Sequence, residues 1–145
     1  MKKLLCTALA AVLSVFYCQA ALAQNDITEI IDASSGLIYS ADKIVGISEG
    51  ITDIVIPSEI NGTKITAIAD EAFLDNKSLV TVSVQEGILE IGNLAFGGCE
   101  NLQSVILPQS VNKIGMGAFN NCSSLITVNI PDGVTEIPQS CFFGC

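Results

Sequence analysis

The stretch IGNLAFGGCENLQSVIL, residues 91–107, is followed one period later by IGMGAFNNCSSLITVNI, residues 114–130. The step between them is 23 residues, and Phe73, Phe96, Phe119 and Phe142 carry it in both directions. Ile65, Ile88, Val111 and Val134 keep the same step, as do Ile68, Ile91, Ile114 and Ile137. Ala72, Ala95, Ala118 and Cys141 precede the phenylalanines, and Leu79, Leu102 and Leu125 follow them. A fixed period of this length marks stacked supersecondary units, each able to bury apolar surface only against its neighbours. Every set of equivalent positions is therefore a line of side chains running along the axis of a solenoid.

Within one unit, Leu102, Val105 and Leu107 end in an alternation of period two, the pattern of a half-buried strand. The equivalent lines are Val82, Val105 and Val128, then Val84, Leu107 and Ile130. Pro108 and Pro131, with Gly87 and Gly133 nearby, end the strand, because proline cannot continue a ladder and glycine relaxes the backbone for a turn. The spacing of Ile91, Ala95 and Phe96 predicts a short helical or 3₁₀ segment with its apolar side inward, before the chain returns through Cys99 to Leu102. The expected fold is an α/β repeat solenoid: right-handed, with a parallel sheet on one face, short helical or 3₁₀ segments on the other, and a hairpin cap at the N-terminal end.

The hexad Leu-x-x-Val-x-Leu resembles a leucine-rich repeat. The longer run Ile-Gly-x-x-Ala-Phe-x-x-Cys-x-x-Leu-x-x-Val-x-Ile-Pro, carried by Ile91 to Leu107 and Ile114 to Ile130, is more closely similar to the BspA-like leucine-rich repeats of bacterial surface antigens. The resemblance covers Leu37 to Cys145. Asn76 replaces the Cys of the first unit, and Gly87, Ser110 and Gly133 stand where an ordinary leucine-rich repeat carries its Asn ladder; both departures favour this subfamily. The resemblance implies a non-catalytic, cell-surface protein that binds other proteins or adheres to host or matrix proteins.

Four segments are expected. Residues 1–23 read as a signal peptide: Lys2 and Lys3 precede an apolar run from Leu4 to Tyr17, and Ala21-Leu-Ala23 supplies the small-residue cleavage pattern. The run is shorter than the roughly 18–20 residues a bilayer span demands, so no transmembrane span is expected after signal removal, and the chain is read as exported to the cell surface, the periplasm or the medium. Acylation of Cys18 is the competing reading, disfavoured by Tyr17 where lipoprotein signals carry a small residue. Residues 24–36 read as an acidic linker, 37–64 as the cap hairpin and first strand, and 65–145 as the repeats, the last incomplete. In the hairpin, Leu37 to Tyr39 and Lys43 to Ile47 flank Ser40-Ala-Asp42. Ile56 and Ile68 are 12 positions apart where Ile130 and Ile137 are 7 apart, so the first coil carries five extra residues around Asn61-Gly62 that should form a turn.

Charge excludes some partners. The chain carries −9, and removal of residues 1–23 leaves 4 lysines against 15 acids, a net charge of −11 with no Arg or His. Such a surface has no electrostatic footprint for nucleic acid and is repelled by anionic lipid. Glu90, Lys113 and Glu136 share one line along the axis, and Lys77 lies one repeat before Glu100, so these charges alternate between coils and stabilise weakly.

No enzyme signature is present, neither a phosphate-binding loop nor a nucleophile elbow, and no cofactor is implied. Cys99, Cys122 and Cys145 share one inward line and Cys141 replaces an Ala, so they read as buried thiols packed like small apolar groups. Disulfides are the alternative in an exported chain. With no Cys-x-x-Cys pair and no His, no zinc site is expected, and a thiol nucleophile has no imidazole base. Asp70, Glu71 and Asp75 cluster where a cation could sit, or where acids favour a helix start.

What remains for function is the outward face of the sheet. Thr81, Ser104 and Thr127 form one row and Ser83, Ile106 and Asn129 the next, flanked by Val80, Gln103 and Ile126. Rigid faces of this kind are where repeat proteins bind, so these six residues are the candidate protein-binding face for an extracellular or host matrix protein. A carbohydrate-binding surface module is the alternative, with only Tyr39 left for stacking on sugar; a structural fragment of a longer array is another. The final coil stops after Cys145, before the Leu that follows in earlier units, which leaves Ile137, Cys141 and Phe142 uncovered and invites self-association through that open end.

Overall fold

Residues 29–145 are described by a computed structural model; the segment read as a signal peptide, Cys18 with it, and the first residues of the segment read as a linker lie outside the described residues. Two parallel sheets wind around one core in about four turns. The front sheet stacks β4 (Asp53–Ile56), β8 (Thr81–Val84), β10 (Ser104–Ile106) and β12 (Thr127–Val128). The back sheet stacks β3 (Lys43–Ile47), β7 (Ala67–Ile68), β9 (Glu90–Ile91) and β11 (Lys113–Ile114), and is continued antiparallel by β2 (Leu37–Ser40) and β1 (Ile30–Ile31). Part of the segment read as linker is thus strand. The pairs Val82↔Val105, Val105↔Val128 and Ile91↔Ile114 place residues one period apart side by side, as the repeat requires.

The alternation does what the pattern demands. In β8, Val82 and Val84 are buried while Thr81 is exposed, and the core joins Leu79, Ile88, Ile91, Ala95 and Phe96 to their counterparts in adjacent coils. The phenylalanines form one column: ring centroids lie 4.9 Å apart for Phe73 and Phe96, then 5.4 Å for each following pair, all stacked. Gly92 has a structural reason to lack a side chain, since a Cβ there would stand 2.5 Å from the backbone of Ala69 and Asp70 in the previous coil.

The helical or 3₁₀ segments expected on the far side are absent among the described residues. Chains of turns replace them. Leu94, Gly98, Gly117 and Asn121 have positive φ, as do Glu71, Asp75, Ser140 and Gly144 at the same places in the other coils. A helix needs an unbroken run of negative φ, so these left-handed residues, two to a coil and four positions apart, interrupt it. Hydrogen bonds explain why the chain accepts them. The N–H groups of Leu94, Phe96 and Gly98 leave the local segment and donate to Met116, Ala118 and Asn120 of the next coil at 2.7–2.9 Å, while the intervening groups bond three residues back. Axial bonding between coils outcompetes the helix.

The first coil departs from the period in two places. Ile44 pairs with Ile68 and Ile54 with Val82, so 10 positions cover what 14 cover from Ile68 to Val82. The turn segment is cut short there, which leaves a shallow cleft between Ile47–Gly50 and Asp75–Ser78. On the other side, the five extra residues fold out as a hairpin of β5 (Glu59–Ile60) and β6 (Thr63–Lys64). Asn61 and Gly62 at its tip have φ of 51° and 81°, the two positive values that a tight hairpin turn matching strand twist requires.

Candidate protein-binding face

Strand register brings the candidate residues together. Thr81, Ser104 and Thr127 are aligned by direct pairing across β8, β10 and β12, and Ser83 pairs with Ile106. Thr81 and Thr127 are exposed, Ser83 and Ser104 half-buried, and Ile106 is 58% exposed, a large apolar side chain held in solvent by a rigid strand. Ile126 beside them is 81% exposed.

Asn129 has a different job from its neighbours. Its Oδ1 accepts from the Leu107 N–H at 2.8 Å and its Nδ2 donates to the Leu107 carbonyl at 2.7 Å. The carboxamide takes the place of a main-chain partner, and β12 stops after two residues.

Two residues extend the rows and were not singled out in the sequence. Asp53 pairs with Thr81 and Val55 with Ser83, so they head the hydroxyl row and the apolar row. Val55 is 54% exposed. The strand-ending signature at Ile54, Ile56 and Pro57 could have located them, but the insertion puts that strand 28 residues before its neighbour instead of 23. The Asp53 carboxylate accepts from the hydroxyl of Thr81 and from Thr52 at 2.7 Å, and these bonds, that of Thr81 foremost, hold its carboxyl below the usual aspartate value.

Elsewhere polar side chains stitch the coils. Asp70 accepts from the Asn93 N–H at 2.7 Å and Nδ2 at 3.1 Å, and Asn93 Oδ1 accepts from Met116 N–H at 2.9 Å. Of the acidic cluster, Asp70 therefore caps the next coil and is not a helix start, while Asp75 lies 3.6 Å from Lys77. Glu86 accepts from Gln109 and Ser110 N–H groups at 3.0 and 3.1 Å. Lys113 pairs with Glu90 at 2.6 Å and Lys77 with Glu100 at 2.9 Å; Glu136, in line with the first pair, joins no ion pair among the described residues.

All four described cysteines are thiols. Cys99, Cys122 and Cys145 each donate S–H to the carbonyl of the Phe one coil earlier, Phe73, Phe96 and Phe119, at 3.0–3.1 Å. Burial pushes the Cys99 thiol up to about 11 and Cys122 to about 12. Cys141 is buried, as the thiol reading expects and against the expectation that the open end leaves it uncovered, whereas Cys145 is exposed, with no coil among the described residues packed over it. Asn76 holds this place in the first unit, and its Oδ1 accepts from the Ser78 and Leu79 N–H groups at 2.8 and 3.1 Å.

Residues 46–145 match the sequence profile of the BspA type leucine rich repeat region, in 6 copies. Among solved structures, the chain is similar to a leucine rich repeat protein of T. pallidum, with 26% identity over 81% of this chain and 64% of that one, and a TM-score of 0.58. A leucine-rich repeat protein from Bacteroides capillosus shares 28% identity over 74% of this chain and 80% of its own, with a TM-score of 0.59. A leucine rich cell surface protein from Faecalibacterium prausnitzii shares 28% identity over 67% of this chain and 27% of its own, with a TM-score of 0.54. The chain thus spans 64% of the treponemal protein's length and about a quarter of the last one's. No curated protein matches it significantly.

Proposed function

Because the chain belongs to the BspA type leucine rich repeat family, we propose that it is an exported, cell-surface, non-catalytic protein that adheres to an extracellular or host matrix protein through its front sheet. The observation that carries this reading is the outward row of Val55, Ser83 and Ile106, where two large apolar side chains are held exposed on one rigid ladder beside a row of hydroxyls. Apolar surface kept in water by a fixed backbone costs little further ordering on binding, and repeat proteins present such faces to their partners. The relative described as a cell surface protein supports the location. Self-association through the coil ending at Cys145 belongs to the same reading, since that coil leaves Ile137 and Phe143 exposed.

The test is capture of matrix proteins by the immobilised chain, followed by the same capture with Ile106→Glu and Thr127→Arg together. Both side chains point away from the core, so folding should be preserved and capture lost. Unchanged capture by that variant, with unchanged circular dichroism, would move the site off this face. Asn129 is left alone because its substitution would also release Leu107.

A further inference from the structure

The two edges of the front sheet are unlike. At the C-terminal edge β12 is two residues long, cut off where Asn129 turns its carboxamide onto Leu107. At the N-terminal edge β4 is four residues long. The carbonyls of Thr52 and Ile56 accept from the N–H of Thr81, at the start of β8, and of Gln85, just past its end. Main-chain groups alternate sides along a strand, so the N–H and C=O of Asp53 and Val55 point away from β8. No strand among the described residues pairs with that side, and no described hydrogen bond reaches those four groups.

Side chains define what would fit. Asp53 is the only charged residue at the outward positions of the front sheet, and no lysine among the described residues pairs with it. Its carboxylate is fixed by the Thr81 and Thr52 hydroxyls, which donate to the ionised form. Val55 stands two residues on, exposed on the same face. We propose that the outer edge of β4 is a strand-addition site for an extended peptide of a partner protein, with a basic side chain against Asp53 and an apolar one beside Val55. Main-chain bonds supply affinity and the two side chains supply selectivity. Pro57, which has no N–H, ends the pairing. A second copy of this chain does not suit the edge, because the front sheet offers no basic residue to set against Asp53. The acidity of the chain likewise favours a basic partner segment.

The main-chain pairing lies at the sheet's edge, and of the face it uses only Asp53 and Val55. The probe is a labelled peptide of alternating lysine and valine, with a glutamate-for-lysine version as control, read by fluorescence anisotropy. The basic peptide should bind saturably and the acidic one should not. Val55→Pro deletes an N–H that has no partner in the fold, at an edge position that tolerates proline, and should weaken binding at least about tenfold. Asp53→Asn should weaken it several-fold and shrink the preference for the basic peptide, while Met116→Gln, at an exposed turn position off the front sheet, leaves binding unchanged. Should Val55→Pro fail to fold, amide exchange in the unsubstituted chain replaces it, with slowing expected at Asp53 and Val55 when peptide is added. Absence of binding, binding unaffected by Val55→Pro in the folded variant, or exchange at those two amides unchanged by saturating peptide would each overturn the proposal.

Discussion

The second coil and the last are built from the same residue types, yet one is dry and the other half wet. Phe96, Val105, Leu107 and Val111 are at most 2% exposed. Their counterparts one or two periods on, Phe142, Val128 and Val134, are only partly buried, and Ile130 is 38% exposed. The back sheet shows the same loss: β9 and β11 pair, but among the described residues no further strand pairs with the outer side of β11. At the opposite end Leu37, Tyr39 and Ile44 of the β2–β3 hairpin are buried against the first full coil. Burial is therefore a property of the stack and not of the repeat. Most column positions of the last coil lose burial, whereas Phe73 and Ile56 at the other end stay dry with a repeat coil on one side only.

The sharpest way to break that comparison is to truncate one column at two places. Phe119 is fully buried between Phe96 and Phe142, so Phe119→Ala should cost about 3–5 kcal/mol by lost transfer and an unfilled cavity. Phe142→Ala, with a neighbour on one side only, should cost less than half of that. Thermal or urea unfolding measures both. Equal costs would mean that exposure along the column does not track its contribution to stability.

The converse change covers the wet side. A further coil of the same period joined after Cys145, ending in a polar face, should give Ile137 and Phe142 a second neighbour and raise stability by about 2 kcal/mol or more, from the apolar area removed from water. The backbone supports this expectation: the N–H groups of Leu94, Phe96 and Gly98 have axial acceptors, whereas those of Ser140, Phe142 and Gly144 have none among the described residues. Light scattering at micromolar concentration should show self-association of the chain and its suppression by the added coil. No gain in stability and no association would show that the last coil is adequately closed.

How much of this was legible in the sequence depends on the range of the interaction. The lines of Phe, Ile and Val placed the coils and the strands at Val82, Val105 and Val128, because a period reports directly on which residues stack, and the five residues in excess of it placed the turn at Asn61-Gly62, though not the two strands that flank it. The turn segments were misread as helical because their conformation is decided by bonds to the next coil, such as Phe96 N–H to Ala118, which local spacing does not encode. Leu94 in the left-handed region is a case no propensity would suggest. For the candidate face, the rows were legible from alternation. The Asn129 clamp on Leu107 was not, nor the place of Asp53 and Val55 at the head of the rows, since an inserted hairpin moves them out of period.

The thiol column gives a smaller contrast along the same axis. Cys99 and Cys122 are buried, with thiols pushed to about 11 and 12 by desolvation, whereas Cys145 is exposed and its thiol is raised by its partial burial. Since the thiolate is the reactive form, a thiol reagent near neutral pH should label Cys145 first and the buried cysteines only on unfolding. Mass spectrometry of briefly treated native protein checks this. Labelling of Cys99 as fast as that of Cys145 would mean that the interior coils open as readily as the last.

The smallest expected effect lies in the polar stitching between coils. The Asn93 main-chain N–H, then its side-chain amide, holds the Asp70 carboxyl below its ordinary value of 3.8. A carboxyl whose folded value is depressed contributes stability above its unfolded value and loses it as pH falls through the folded one, so this contribution is complete near neutrality and fades below about 3.8. Asp70→Asn keeps an oxygen acceptor but removes the charge, so it should flatten the fall in melting temperature between about pH 5 and pH 3 while changing the neutral-pH value only slightly. The interior site and the last coil differ again here: Asn93 receives Met116 N–H, but Met116, one period further on, offers no side-chain acceptor to the coil after it. If Asp70→Asn leaves the acid limb as steep as before, the acid sensitivity of the solenoid resides in other carboxylates, with Asp53 and Asp32, both also lowered by hydroxyl donors, the next to substitute.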